Sequence, residues 1–275
     1  FVRAYSYVTV KDGRWYDEGA VSARITVTGI SGSVTLGAGA GTWTVPDGVR
    51  RIRYILVGRG GDGGSPSGII PSGQCGGGGG YFITGYMDVS PGQSLSWVVP
   101  TGQGQRTALN GIVANSGESV QRVRINGQTI SSIGGRGGSG GGGATTSDYL
   151  SISPGGSGGS NGANGAAGAN RFPGLDSLAL GGVGQGTSTS GFNGVLYSGG
   201  GGGSKSGVGG AGGGGNGADG NGIISNGANG IDGLGGGGGG SNGYYSPRSS
   251  TSAKGGRGGT GCIYIAWGSA MNDGS

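Results

Sequence analysis

With no histidine anywhere in its 275 residues, the chain lacks the commonest general base and metal ligand. Its 12 carboxylates are scattered, and neither a nucleophile triad nor a carboxylate pair can be assembled from their spacing. No enzyme activity, cofactor or metal is therefore expected. The side chains still able to act on a partner are a few arginines, two cysteines and a set of aromatics.

Arg-Gly-Gly occurs at Arg59, Arg136 and Arg257, a pattern shared with RNA-binding glycine–arginine segments. Each copy lies a few residues from an expected strand rather than in a cluster, so structural arginines are expected and RNA binding is the alternative. The excess of 17 Lys and Arg over 12 Asp and Glu, +5, permits contact with an acidic surface without demanding nucleic acid. Gly214 to Asp219 fits the opening of a calcium-binding nonapeptide and Asp232 sits in a looser copy, but the two are not spaced by a multiple of nine. Asn221 also stands where that repeat needs an apolar residue. Cys75 and Cys262 each sit where a glycine run meets other structure, and burial as free thiols is expected over a disulfide. No stretch is apolar enough to cross a bilayer, so no membrane insertion is expected.

What must position these residues is glycine, 81 residues of it. The glycines come in runs interrupted by Tyr, Phe, Leu and Ile, the main ones beginning at Gly58 and ending at Gly261. Several show a period of three, as in Asn161-Gly162-Ala163-Asn164-Gly165-Ala166 and Asn226-Gly227-Ala228-Asn229-Gly230. Three is the repeat of the extended left-handed helix of polyproline and collagen, which has no internal hydrogen bonds. Such segments must find backbone partners in one another, and the crowded positions must lack a Cβ. Ordering a residue costs about 1–2 kcal/mol of backbone entropy against about 0.5–1.5 kcal/mol returned per hydrogen bond, so flanking strands should supply an apolar seed.

Those strands are legible by their alternation. Residues 51–57 place Ile52, Tyr54 and Leu56 on one face and run into the first glycine run. Strands follow at 81–89 and 95–99, a hairpin spans 120–133 about Asn126-Gly127, and 262–267 closes the chain. The expected class is all-β with irregular parts: a bundle of polyglycine II helices, or polyglycine sandwich, on a small β-strand base. Residues 1–29 read as a β-hairpin, 30–41 as a linker, 42–268 as the glycine-rich domain and 269–275 as a tail.

Two resemblances bear on this layout. The hairpin, with Val2-Arg3-Ala4-Tyr5 and Val21-Ser22, resembles the last two strands of a fibronectin type III module, which implies that the rest of the module lies upstream. Trp43-Thr44-Val45-Pro46, the strand ending in Val57-Gly58-Arg59-Gly60-Gly61, the Ser90-Pro91-Gly92-Gln93 turn, the glycine array and Cys262-Ile263-Tyr264-Ile265-Ala266-Trp267 resemble the glycine-rich domains of phage tail proteins. The array is similar to the tip adhesins of T-even phage long tail fibres. That resemblance implies a virion protein of the tail fibre or tail tip that presents receptor-binding loops. The implied partner is a bacterial outer-membrane protein, with a surface glycan the alternative. Other tail proteins, and a homotrimer through the N-terminal region, are the implied assembly; the N-terminal part does not look like the T-even attachment domain.

If the strands form a base, a segment reached from it by one uninterrupted run lies at the far end. Segments 65–74, 144–154 and 241–254 meet that test and should be co-located. They carry Ile69, Ile70, Tyr149, Leu150, Tyr244, Tyr245 and Arg248 amid Ser and Gly, the mixture of aromatic contact area and adaptable polar groups that binding loops use. Phe172, Leu175, Phe192, Leu196 and Tyr197 are similar candidates without a placement, because the run 155–169 is long enough to hide a reversal at an Asn-Gly step. The opposing reading folds these side chains back over the ends of the bundle. A flat ice-binding face is disfavoured by the same aromatic loops.

Overall fold

The computed structural model describes residues 30–66, 72–125, 128–144, 157–168, 184–185, 190–219, 224–243 and 252–271. The expected hairpin at 1–29 and the Asn126-Gly127 turn lie outside them. The architecture is all-β, with no α-helix among the described residues.

Two four-stranded antiparallel sheets form a sandwich. The first takes strands β1 (Gly32–Leu36), β12 (Cys262–Trp267), β3 (Arg51–Val57) and β5 (Phe82–Asp88), in that order; the second takes β2 (Gly39–Thr44), β6 (Ser94–Val99), β7 (Thr107–Leu109) and β8 (Ile112–Ala114). The period of two puts Ile52, Tyr54 and Leu56 of β3 with Ile263 and Ile265 of β12 on the inner face, against Leu95, Val99 and Leu109 of the second sheet. Two short ladders stand apart, β9 (Gln121–Ile125) with β10 (Gln128–Ile133) and β4 (Ser72–Gly73) with β11 (Asn242–Gly243).

Residues 30–41, expected as a linker, instead hold β1 and the start of β2. The glycines that suggested a linker make room for tryptophan. A Cβ on Gly32 would stand 2.6 Å from the Trp267 ring, and Gly39 and Gly41 lie under Trp97. The expected tail begins as a 3-10 turn, Gly268–Met271, whose last carbonyl accepts a 2.7 Å hydrogen bond from Arg53.

Beyond the sandwich three adjacent strands, β12, β3 and β5, continue directly into glycine runs, and their register continues with them. Val57 lies opposite Phe82; beyond it Gly58 donates to Tyr81, Gly61 to Gly78 and Gly64 to Cys75. On the other side Cys262 lies opposite Val57, and Gly60 and Gly63 donate to Gly259 and Gly256. What changes is the period. Each pair of runs is joined at every third residue, and the intervening amides turn to other runs.

The run 235–241 displays this most fully. Gly237 and Gly240 donate to Gly199 and Gly202, Gly238 and Ser241 to Gly61 and Gly64, and Gly239 to Ala228. Its carbonyls accept from Gly77 and Gly80, from Gly256 and Gly259, and from Gly215 and Ala218. One run thus touches six others, through bonds of 2.7–3.1 Å. A pleated strand has neighbours only on two sides, because its hydrogen-bonding groups lie in one plane. Close approach on all sides explains the composition: a Cβ on Gly60 would fall on the Gly236 carbonyl, and one on Gly238 on the Gly256 carbonyl.

Candidate functional site

The glycine array has two ends, and the chain turns at both. At the sandwich end, Ser160 to Ala163 closes a tight turn with positive φ at Asn161 and Gly162, the reversal that an Asn-Gly step made possible. A second reversal lies inside 134–143, which runs alongside 76–79 from Gly135 to Gly138 and then returns from Ser139 to Gly142. Segment 144–154 therefore starts at the far end, but not by an uninterrupted run from a base strand. The hairpin β9–β10 belongs to neither sheet of the sandwich, and the hidden reversal compensates.

At the distal end, β4 pairs with β11, Ser225 forms a bridge with Asn242, and Ser204 donates to the Gln74 carbonyl. Ser65 Oγ accepts from Gly255 at 2.9 Å, and the Ala144 amide lies 3.2 Å from Cys75 Sγ. A Cβ on Gly168 would fall on the Ala144 carbonyl. These described positions flank segments 67–71, 145–156, 220–223 and 244–251 and the start of 169–183, whose other flank, Gly184–Gln185, lies at the sandwich end beside Phe82. Ile69, Ile70, Tyr149, Leu150, Phe172, Leu175, Tyr244, Tyr245 and Arg248 lie in those segments, outside the described residues.

The remaining three candidates stand at the opposite end. Gly191 to Tyr197 folds onto the outer face of the first sheet, where Tyr197 is 4% exposed and packs with Ile55, Val57, Phe82 and Cys262. Its hydroxyl accepts a 2.8 Å bond from Asn193, and burial pushes its pKa up to about 12. Phe192 packs against Tyr264 with the rings tilted and their centroids 5.6 Å apart, and lies under the Arg53 guanidinium at 4.1 Å. Leu196 is 40% exposed. For Phe192 and Tyr197 the apolar sheet, not the glycine array, supplies the pocket that the sequence did not reveal.

The arginines divide. Arg59 is 3% exposed and bonds the Gly60 carbonyl and Asp62, at 2.8 and 2.9 Å. Arg257 forms a two-pronged pair with Asp232 at 2.8 and 3.0 Å, which holds the Asp232 carboxyl below its ordinary range. Arg136 is exposed. Of the two calcium-motif carboxylates, Asp232 is engaged by Arg257 and Asp219 lies 3.4 Å from Ser206 Oγ. Among the described residues no group of three or more His, Cys, Asp or Glu is placed to hold a metal ion.

The two cysteines are buried and form no disulfide. Cys262 faces Val57 and Cys75 faces Gly64, at opposite ends of one run, so at about 3.1–3.4 Å per residue they stand roughly 20 Å apart, beyond the ~7 Å Cα separation a disulfide allows. Burial raises the Cys262 pKa to about 12.

Sequence reasoning missed Lys205, buried at the distal turn with positive φ, and Gln185, whose amide bonds both the N–H and the carbonyl of Phe82. It also missed the asparagines of the Asn-Gly triplets, whose side chains accept backbone amides of adjacent runs. The period of three, which sets Asn at every third place, is the signal that could have found them.

Residues 21–268 match the model of the glycine-rich domain. The chain belongs to that family. The matched span takes in both sheets as well as the runs. No curated protein matches the sequence significantly.

Proposed function

We propose that this glycine-rich domain is the receptor-binding adhesin of a phage tail fibre or tail tip, with its runs wound as a bundle of polyglycine II helices. Support for the winding comes from the period-three bonding and the six neighbours of run 235–241. Support for the display comes from one observation: the described ends of four intervening segments, and the start of a fifth, gather at the pole opposite the sandwich. Segments held at both ends lose less entropy when they meet a partner. In this reading the protein binds and performs no reaction, its target is an outer-membrane protein of the host, and the N-terminal part joins it to other tail proteins.

The contact residues of this reading are those in the distal segments, Tyr244 and Tyr245 foremost; Tyr197, buried on the sheet, has a packing role. Tyr244→Ala with Tyr245→Ala should abolish adsorption of the purified protein to host cells while circular dichroism and melting temperature stay as in the parent. Undiminished adsorption by the folded variant would remove these residues from the site. Cells lacking single outer-membrane proteins, compared with cells lacking surface polysaccharide, then identify the class of receptor.

A further inference from the structure

The run 253–261 disposes of its amides in three columns. Gly256 and Gly259 donate to the central run, at Gly239 and Gly236. Gly255 and Gly258 donate to side chains, Ser65 Oγ at 2.9 Å and Asp62 Oδ1 at 2.8 Å. Lys254, Arg257 and Thr260 donate to Asn226, Asn229 and Asp232, in each case to Oδ1 at 2.8 Å. The carbonyls of Lys254 and Arg257 accept from the backbone of Gly227 and Gly230 at 3.0 and 2.8 Å.

In the central run, the N–H and the carbonyl of one residue reach two runs that are themselves neighbours. Gly238 donates to Gly61 and accepts from Gly77, and Gly61 in turn donates to Gly78. The same geometry aims the Lys254 and Arg257 amides at a position beside run 225–230, where one more glycine run would fit. Among the described residues no run occupies that position. A groove lined by Asn226, Gly227, Ala228, Asn229, Lys254 and Gly255 lies there. The asparagine carbonyls take the place that a further run's peptide carbonyls would have.

We infer that Asn226 and Asn229, continued by Asp232, close this open flank of the glycine array against the glycine runs of a second copy of the chain. A column of unpaired amides is to such an array what a bare edge strand is to a sheet, a template for more of the same. Asparagine suits the task because its side-chain carbonyl reproduces a peptide acceptor while its NH2 turns polar hydrogens to water. The Asn-x-x-Asn-x-x-Asp spacing follows from the amides it must meet. Asn216 and Asn164 act alike on the amides of Gly209 and Gly184, both at 2.8 Å.

The test is Asn226→Gly with Asn229→Gly in the whole chain. Light scattering should show at least twice the parent's mass at equal concentration, and in dilute solution the Lys254 and Arg257 amides should exchange at least tenfold faster. Asn226→Asp with Asn229→Asp retains both acceptors and should keep the parent mass and slow exchange. Faster exchange without a rise in mass refutes the guard against association, and unchanged exchange refutes the capping itself. Should the glycine variant fail to fold, Asn226→Ala is read by the same two measurements.

Discussion

The sandwich and the glycine array solve the same problem with opposite means. In the sandwich, Ile52, Leu56, Leu95, Leu109, Ile263 and Ile265 are fully buried side chains, and the two sheets meet through them. In the array the side chains are removed, backbones close on one another, and cohesion comes from amides and carbonyls. A side-chain core carries a large apolar stabilisation and tolerates some loss of volume, whereas a backbone array has no atoms to yield when a Cβ is inserted.

Gly238→Val breaks this comparison hardest. Its Cβ would fall on the Gly256 carbonyl at the centre of six runs, so a loss of more than about 4 kcal/mol is expected, seen as collapse of the thermal transition. An unchanged melting temperature would show that the array does not need close contact. Ile265→Ala, in the sandwich, should cost about 2–5 kcal/mol and leave a folded, measurable protein in chemical denaturation. If it unfolds the chain as completely as the glycine variant, the two regions do not differ as described.

The smallest effect is that of pH. Tyr197 and Cys262 stay neutral in the fold, their pKa values raised to about 12 from 10.0 and 9.0. The unfolded chain ionises first, so stability is full below about pH 9 and falls as the pH climbs towards 12. Asp232 acts in the other direction: Arg257 lowers its pKa, so its increment is present above about pH 4 and fades as the pH drops below. Denaturation followed across the range should show both slopes. Tyr197→Phe should reduce the alkaline one and Asp232→Asn the acid one.

Strands β3 and β6 were legible because apolar residues alternate in them, β5 and β12 because short apolar runs follow glycine, and the first glycine run was legible as the continuation of β3. Strands β1 and β2 were not, since Gly32, Gly39 and Gly41 serve the tryptophan rings of other strands, and a single sequence does not name those partners. The reversals at Ser139 and at Asn161-Gly162 were hidden for a related reason. Glycine adopts the conformations of run and turn alike, so a run can turn back without a change in composition. At the candidate site the distal grouping of segments 65–74 and 241–254 followed from counting runs, as β4 and β11 bear out in their described residues. Phe192 and Tyr197 escaped that count, because their position depends on which face of β3 is left uncovered.

Strands β12, β3 and β5 pass into neighbouring runs with no loop between them and no shift of register. The molecule therefore has no joint at its waist. A sideways pull on the distal pole travels along three covalent cables clamped side by side, and reaches the sheets without a joint to absorb it.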